Sequence, residues 1–367
     1  MLLYLLLILL FLAFYYHLYI ATLISSPQIH LSPTSLRSPY TLPSELLRAY
    51  TRIFLKAIGL NLRKPARSEV AARRAKGIEI TSPVVVDRVH LERYVGLIRP
   101  GRSSEIADDD VLPPFYLNAV AGFLQVLFLS HPDFPYAALG ALNVRNRITV
   151  YRHLTVRECT GAEGLEAVCK LTEIRAARRG TELDQLISVF LDGVLVWDCV
   201  FTILVLGKSG ASASKGPSEP ESNREKEAGP ASLTITHPIP LPPTTGVAYA
   251  KLAYDFNPIH IHPSTARLFG FKSNIAHGLY VAAAAAAYIP DASTLELPAR
   301  YHVQFKSPVM LPSSVDVQVF DRREGDGRRW EFVVKPDFEK SKGMYNREKS
   351  RGRPLIEGWV ECGEGRT

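Results

Sequence analysis

Cysteine is scarce in this 367-residue chain, which contains only Cys159, Cys169, Cys199 and Cys362. These four residues form neither a CxxC pair nor a zinc-ligand spacing, so the sequence implies no metal site and no redox cofactor. We therefore expect reduced, partly buried thiols in a reducing compartment.

A strong charge imbalance is also absent, since 43 Lys and Arg residues face 36 Asp and Glu residues, for a net charge of +7. The basic residues are not interleaved with aromatic residues in a recognisable nucleic-acid motif, so we expect no nucleic-acid partner. They concentrate behind the N-terminal apolar segment, which indicates a membrane surface. A modest positive excess would also attract an acidic carrier such as coenzyme A or a phosphopantetheine protein.

Residues 2–24 carry no formal charge and are long enough to span a bilayer as a helix. They lack a basic start and an obvious small-residue cleavage site, both of which a secretory signal requires. We therefore predict an uncleaved, single-pass transmembrane anchor over residues 1–25. The basic flank that follows predicts a cytosolic catalytic part. A cleaved leader and a buried core helix stay open as alternatives.

Residues 26–77 form a basic juxtamembrane region in which the stretch 44–60 repeats apolar residues at helical spacing. This helix would lie on the membrane interface or pack on the main domain, and the pattern does not separate the two.

The stretch 208–230 is built of Ser, Gly, Pro, Glu and Lys with almost no apolar residue, which predicts a flexible linker. It divides the chain into domains 78–207 and 231–367. Each domain has one apolar helical stretch, 113–129 or 279–289. A strand at 84–89, a helix at 90–98 and an entry strand at 237–241 are also predicted. The remaining strand-like runs are 142–150, 167–175, 185–191, 194–206, 301–309, 314–321, 330–334 and 355–362.

The polar residues of greatest interest lie between residues 249 and 288. Asp255, Asn257 and His260 surround Pro258, which disfavours helix immediately before itself and so predicts a bend. That bend would let the three side chains converge. Gly278 falls near the start of the alanine-rich helix, where free N–H groups and the helix dipole favour a developing negative charge. A carboxylate, an imidazole, an amide and a helix start are suited to moving protons on a carbonyl compound.

The pattern D-F-N-P-I-H, followed by G-F and then I-A-H-G, resembles the MaoC-like dehydratase and (R)-specific enoyl-CoA hydratase family. The resemblance implies an α+β double hot-dog fold, with two curved antiparallel sheets that each wrap a long central helix. The first domain lacks D-x-N-P-x-H, so it is expected to be non-catalytic and to help shape the acyl-chain tunnel.

The resemblance also implies roles for individual residues in the interconversion of trans-2-enoyl and (R)-3-hydroxyacyl thioesters. Asp255 and His260 would form the dyad that holds water and handles protons. The N–H of Gly278 would polarise the thioester carbonyl, and we assign Asn257 to orienting the water or the dyad. The thioester partner would be coenzyme A or a carrier protein, and a homodimer is left open.

Structural alternatives apply to the same residues. Asp255 and Asn257 are also typical of a turn in which short polar side chains bond nearby backbone. His262 is interpreted as structural or solvent-facing, His277 as a residue that bonds backbone at the helix start, and Tyr249 as core.

The chain departs from the family at Ala253 and Tyr254, where many members have Ser-Gly. We expect this change to bear on substrate size rather than on the chemistry. The alternatives to a hydratase are a membrane-anchored acyl-thioester binding or scaffold protein without activity, and a hot-dog thioesterase.

Overall fold

The computed structural model describes residues 28–30, 49–54, 68–136, 138, 141–160, 164–206, 232–289, 292–324, 327–341, 343–345 and 352–363. The predicted anchor and the linker 208–230 lie outside these residues. Within the described part of the chain, no helix is long and apolar enough to cross a membrane.

Among the described residues, eleven strands form one sheet in the order β1-β2-β4-β5-β6-β3-β8-β11-β10-β9-β7. The strands are β1 Gln28–His30, β2 Glu79–Pro83, β3 Leu142–Val150, β4 Leu165–Ala177, β5 Gly180–Leu191, β6 Val194–Leu206, β7 Ser232–Leu241, β8 Ala299–Phe305, β9 Ser313–Glu324, β10 Gly327–Pro336 and β11 Ile356–Glu361. All neighbours are antiparallel except β1 and β2.

The two halves of the chain meet where β3 pairs with β8, with Ile148 opposite Tyr301. The expectation of two separate sheets is therefore corrected: the strands before and after residue 231 occupy the two sides of a single sheet. The domain limits themselves stay a prediction.

Nine helices are defined by residue ranges in the described chain. They are α1 Ser68–Lys76, α2 Arg88–Ile98, α3 Tyr116–Ala121, α4 Phe123–Ser130, α5 Val156–Cys159, α6 Thr245–Ala253, α7 Pro258–Ile261, α8 Pro263–Leu268 and α9 Gly278–Ala286. Residues 49–54 are helical as well.

Helices α4 and α9 are the central helices of the two halves. Helix α4 packs on β2 and β4, whereas α9 packs on β10 and β11 and also contacts α2. Ala282, Ala283, Ala284 and Ala285 are all at most 3% exposed. Their short side chains allow the sheet to lie close to the α9 backbone, which fixes the start of α9 relative to the strands.

Two local predictions are wrong in the first half. The strand expected at 84–89 is absent, because Asp87 instead caps α2 by accepting a hydrogen bond from the His90 N–H at 2.8 Å. The single helix expected at 113–129 is two helices, which meet at Gly122.

A tight turn joins β5 to β6. Asp192 and Gly193 have φ values of 50° and 79°, the left-handed conformation of a two-residue hairpin loop.

Candidate active site

The loop that carries Asp255 is bent at both ends. Helix α6 ends at Ala253, and Tyr254 then takes a left-handed conformation with φ 53°. Three residues later, Asn257 caps α7, whose first residue is Pro258. The Asn257 side-chain oxygen accepts a hydrogen bond from the Ile259 N–H at 3.4 Å, so this oxygen is used to start a helix.

The Asp255 carboxylate has one fixed oxygen and one that faces the imidazoles. Its Oδ1 accepts hydrogen bonds from the Asn257 N–H at 3.1 Å and from the Tyr50 hydroxyl at 3.2 Å. Its Oδ2 lies 3.6 Å from Nε2 of His277, and the side chain is 40% exposed. Burial alone would raise the pKa of Asp255. His277, His260 and the two hydrogen bonds outweigh this effect and hold the pKa below its ordinary value.

His260 lies on α7 and is 8% exposed. Its Nδ1 donates a hydrogen bond to the Ile275 carbonyl oxygen at 2.8 Å. Burial lowers the pKa of His260, although the charge of Asp255 and the bond to Ile275 act in the opposite direction. A neutral ring with its proton on Nδ1 presents a lone pair on Nε2, which is the form required of a base.

His277 lies directly against both members of the expected dyad. Its Nε2 donates to the backbone oxygen of Asp255 at 3.0 Å, and its ring stacks on that of His260 with centroids 3.7 Å apart. Burial and the neighbouring His260 lower the pKa of His277 to about 3. Its Nδ1 is buried and has no hydrogen-bond partner among the described residues.

The side chains of Asp255, His260 and His277 have potential ligand atoms within 4.8 Å of one another, which is the composition of a metal site. Nε2 of His277, however, carries the proton donated to the Asp255 carbonyl and offers no lone pair there. The Nε2 lone pair of His260 and the carboxylate of Asp255 are instead two acceptors, which together suit one shared water.

Gly278 begins α9, with His277 as the residue before it. The first N–H groups of a helix have no partner within the helix and point along its axis toward the positive end of the dipole. A Cβ added at Gly278 would lie 2.6 Å from Cε1 of Phe305, so the ring of Phe305 occupies the space that a side chain would need.

The structure brings Asp255 and His260 together as the sequence predicts, and places Gly278 next in the chain to His277. The side chain of Asn257 was expected to orient the water or the dyad, but its oxygen caps α7. His277 forms a hydrogen bond to backbone, as interpreted from the sequence, and the acceptor is the carbonyl oxygen of Asp255. His262 is exposed and caps α8 through the Ser264 N–H, and Tyr249 is 2% exposed.

Tyr50 is the residue at this site that sequence reasoning missed. It lies in the stretch 44–60, whose apolar spacing predicts a helix but no contact with the site. Its partner Asp255 lies 205 residues away, and no local pattern encodes such a contact.

Residues 224–339 match a protein family described as the MaoC like domain. The chain is 34% identical over 227 residues to 3-hydroxyacyl-thioester dehydratase X of Mycobacterium tuberculosis, a match that covers 60% of this chain and 70% of that protein. A shorter match of 72 residues, 31% identical, covers 18% of this chain and 41% of a mitochondrial 3-hydroxyacyl-[acyl-carrier-protein] dehydratase of Arabidopsis thaliana.

Solved structures give the same result for the fold. HtdX of Mycobacterium tuberculosis superposes with a TM-score of 0.55 at 26% identity, covering 77% of this chain and 99% of that one. A MaoC-like dehydratase from Phytophthora capsici superposes with a TM-score of 0.56 at 18% identity, covering 78% and 96%. The predicted hot-dog fold is thus confirmed.

Proposed function

This chain belongs to the MaoC-like dehydratase family and is a hydro-lyase, and we propose that it interconverts trans-2-enoyl and (R)-3-hydroxyacyl thioesters. The observation that carries this proposal is that the side chains of Asp255 and His260 have potential ligand atoms within 4.8 Å of one another, close enough to share one water molecule. Ionised Asp255 and neutral His260 are both proton acceptors, so each would accept one O–H of that water.

Hydration then proceeds with one proton handled by the dyad. The water oxygen attacks the β-carbon while one of its protons passes to Asp255 or His260. That acid next delivers the proton to the α-carbon, so that OH and H have been added across the double bond. Dehydration follows the same path in reverse, with the dyad removing the α-proton and protonating the departing hydroxyl.

The thioester oxygen gains negative charge during both reactions. We assign its stabilisation to the N–H of Gly278, because a donor fixed at a helix start needs no reorganisation as the charge develops. The ring of His277 stacks on that of His260, and its Nε2 donates a hydrogen bond to the Asp255 backbone oxygen. These two contacts keep the dyad in place. Asn257 is assigned, through its amide group, to orienting the water or the dyad.

The acyl chain is assigned to the cavity beside the C-terminal part of α9. Its lining includes Tyr94 and Ile98 of α2 together with Ala283, Ala286 and Ala287. This assignment gives the first half its role, because α2 would close the acyl cavity over a helix that begins at the reacting carbonyl. The names of the relatives support an acyl thioester as the substrate, and its carrier would be coenzyme A or a carrier protein.

The full chain should consume the enoyl thioester chromophore of crotonyl-CoA or of longer enoyl thioesters. Asp255→Asn should lower kcat by about 10²- to 10⁴-fold, because it removes a proton acceptor while keeping the size of the side chain. His260→Gln should do the same. His262→Gln is the matched control, since His262 lies two residues away, is exposed and should leave kcat unchanged.

Two other results would replace the proposal. Tight binding of acyl thioesters without turnover, with Asp255→Asn equal to the unchanged protein, would indicate a binding or scaffold protein. Release of free thiol from the thioester would indicate a thioesterase.

A further inference from the structure

The N-terminal part of the chain reaches the candidate catalytic carboxylate through Tyr50. The Tyr50 hydroxyl donates to Oδ1 of Asp255 at 3.2 Å and accepts from the Phe256 N–H at 2.8 Å. Its neighbours Ala49 and Ile53 are only 1% and 5% exposed and belong to the hydrophobic core. The helical residues 49–54 are thus packed on the protein. For the stretch 44–60, this favours a helix packed on the main domain over one that lies on the membrane interface.

We propose that Tyr50 is a positioning residue that fixes the carboxylate of Asp255 for the reaction. This inference rests on the proposed function, in which Asp255 accepts a proton from water. Tyr50 acts through Asp255 and is not assigned a contact with the substrate.

The hydrogen bonds explain how one hydroxyl fixes the carboxylate. With the Asn257 N–H as second donor, Oδ1 of Asp255 has two partners and cannot rotate away without losing both. The other oxygen, Oδ2, is then the one that faces the imidazole of His277 and the space for water. The same hydroxyl also holds the next peptide through the Phe256 N–H, so side chain and backbone of the loop are fixed together.

The electrostatics act in the same direction. Burial and the charge of Asp255 raise the pKa of the Tyr50 phenol well above its ordinary value, so the hydroxyl keeps its proton and stays a donor. A donor to the ionised carboxylate stabilises the charged form, which is the form that accepts a proton from water. Tyr50 therefore supports both the orientation and the ionisation of Asp255.

With this role for Tyr50, the catalytic part of the protein includes residues well before residue 78. A fragment that starts at residue 78 contains both predicted hot-dog domains but lacks Tyr50. Such a fragment should keep Asp255 and lose the contact that orients it, so the stretch 44–60 belongs to the enzyme and not only to a membrane flank.

The test is a double-mutant cycle between Tyr50→Phe and Asp255→Ala in the full chain. We expect Tyr50→Phe alone to lower kcat by about 10-fold, with KM changed less than about 2-fold, because one oriented hydrogen bond to a charged group is lost. In the Asp255→Ala background the same change should alter kcat less than about 2-fold. Ile53→Val is the control: it trims the packing of residues 49–54 but touches no hydrogen bond, so it should behave alike in both backgrounds.

Thermal unfolding of the same four proteins gives a readout that does not need activity. Tyr50→Phe should lower Tm by about 2–4 °C in the native background and by less than half of that with Asp255→Ala. Additive effects in both cycles would overturn the positioning role. If no enoyl thioester reacts at all, the proposed function fails, and the coupling in Tm alone then decides whether Tyr50 fixes Asp255.

Discussion

Gly278 is a residue of the site at which no side chain fits without a shift. An added Cβ would lie 2.6 Å from Cε1 of Phe305, so either the ring or the start of α9 must move. We expect Gly278→Ala to lower kcat by about 10- to 100-fold, because a displaced N–H no longer meets the developing charge. Steady-state kinetics with an enoyl thioester would measure this.

The double variant Gly278→Ala, Phe305→Leu is the matched control for that prediction. A smaller, flexible side chain at 305 should give the new methyl group room and restore part of kcat. Equal activity of Gly278→Ala and the unchanged protein would show that the α9 N–H does not need its present position.

The two stacked histidines predict that stability declines in acid. Burial and His260 hold the pKa of His277 at about 3, whereas the unfolded chain binds its proton near 6.5. Because the unfolded state then holds more protons, the stabilisation is complete above about pH 6.5 and is lost as pH falls toward 3, by at most about 1.4 kcal/mol per pH unit. The pKa of His260 is lowered as well, so it adds to the same slope.

Urea unfolding between pH 4 and 6.5 tests this dependence. His277→Gln should flatten the curve of unfolding free energy against pH, since one of the two buried imidazoles is gone. His262→Gln, at an exposed helix cap, should leave the slope as it is. An unchanged slope in His277→Gln would refute the explanation.

At this scale the sequence predicts the contacts that are local. Asp255 and His260 lie close because Pro258 starts a helix between them, and that rule operates over a few residues. The stacking of His277 on His260 and the bond from Tyr50 depend on how distant segments pack. No rule of spacing links such segments, so these contacts needed the structure.

Among the elements, helix α6 ends in an unusual way. Tyr254 adopts φ 53°, a conformation that disfavours side chains with a Cβ and that glycine accepts freely. The family's glycine at this position therefore has a backbone reason, and substrate size need not be the only consequence of the tyrosine.

A pair of substitutions isolates that backbone effect. Tyr254→Gly and Tyr254→Ala both remove the ring and differ only in the Cβ. We expect the glycine variant to be more stable by about 1 kcal/mol in urea unfolding, because the left-handed conformation costs alanine more. Equal stabilities would mean that the loop relaxes to a right-handed conformation in the alanine variant.

Some helices and strands can be predicted from the sequence and others cannot. Strands β3 and β6 have the limits that the sequence predicts. Apolar residues dominate β6, whereas in β3 apolar residues recur among polar ones. Strand β2 was missed because E-I-T-S-P is short and ends in proline. The split between α3 and α4 was missed because apolar residues continue across Gly122, so the hydrophobic pattern gives no sign of a break.

At the scale of the whole molecule, we propose that residues 2–24 hold the protein in a membrane with the catalytic part in the cytosol. The support is the length of this segment and its lack of charge. Deleting residues 1–25 should move the protein to the soluble fraction and preserve kcat, because Tyr50 is retained. Fractionation and an enoyl thioester assay would measure both.

Deleting residues 1–77 is the comparison for that variant, since it removes Tyr50 as well and should lower kcat. Carbonate-resistant membrane association of the shorter deletion would refute the simple anchor and leave the stretch 44–60 as the attachment.

The pairing of β3 with β8 leaves one edge of β3 unpaired for part of the synthesis on the ribosome. Strand β3 is complete at Val150, but its partner β8 begins only at Ala299. One edge of β3 therefore stays unpaired while about 150 further residues are translated. At about 5–20 residues per second this wait lasts roughly 10–30 s. Arg145 and Arg147 lie on the waiting strand, and charged side chains discourage an open strand from joining another nascent chain. These two arginines would thus protect the nascent chain from association until β8 has been made.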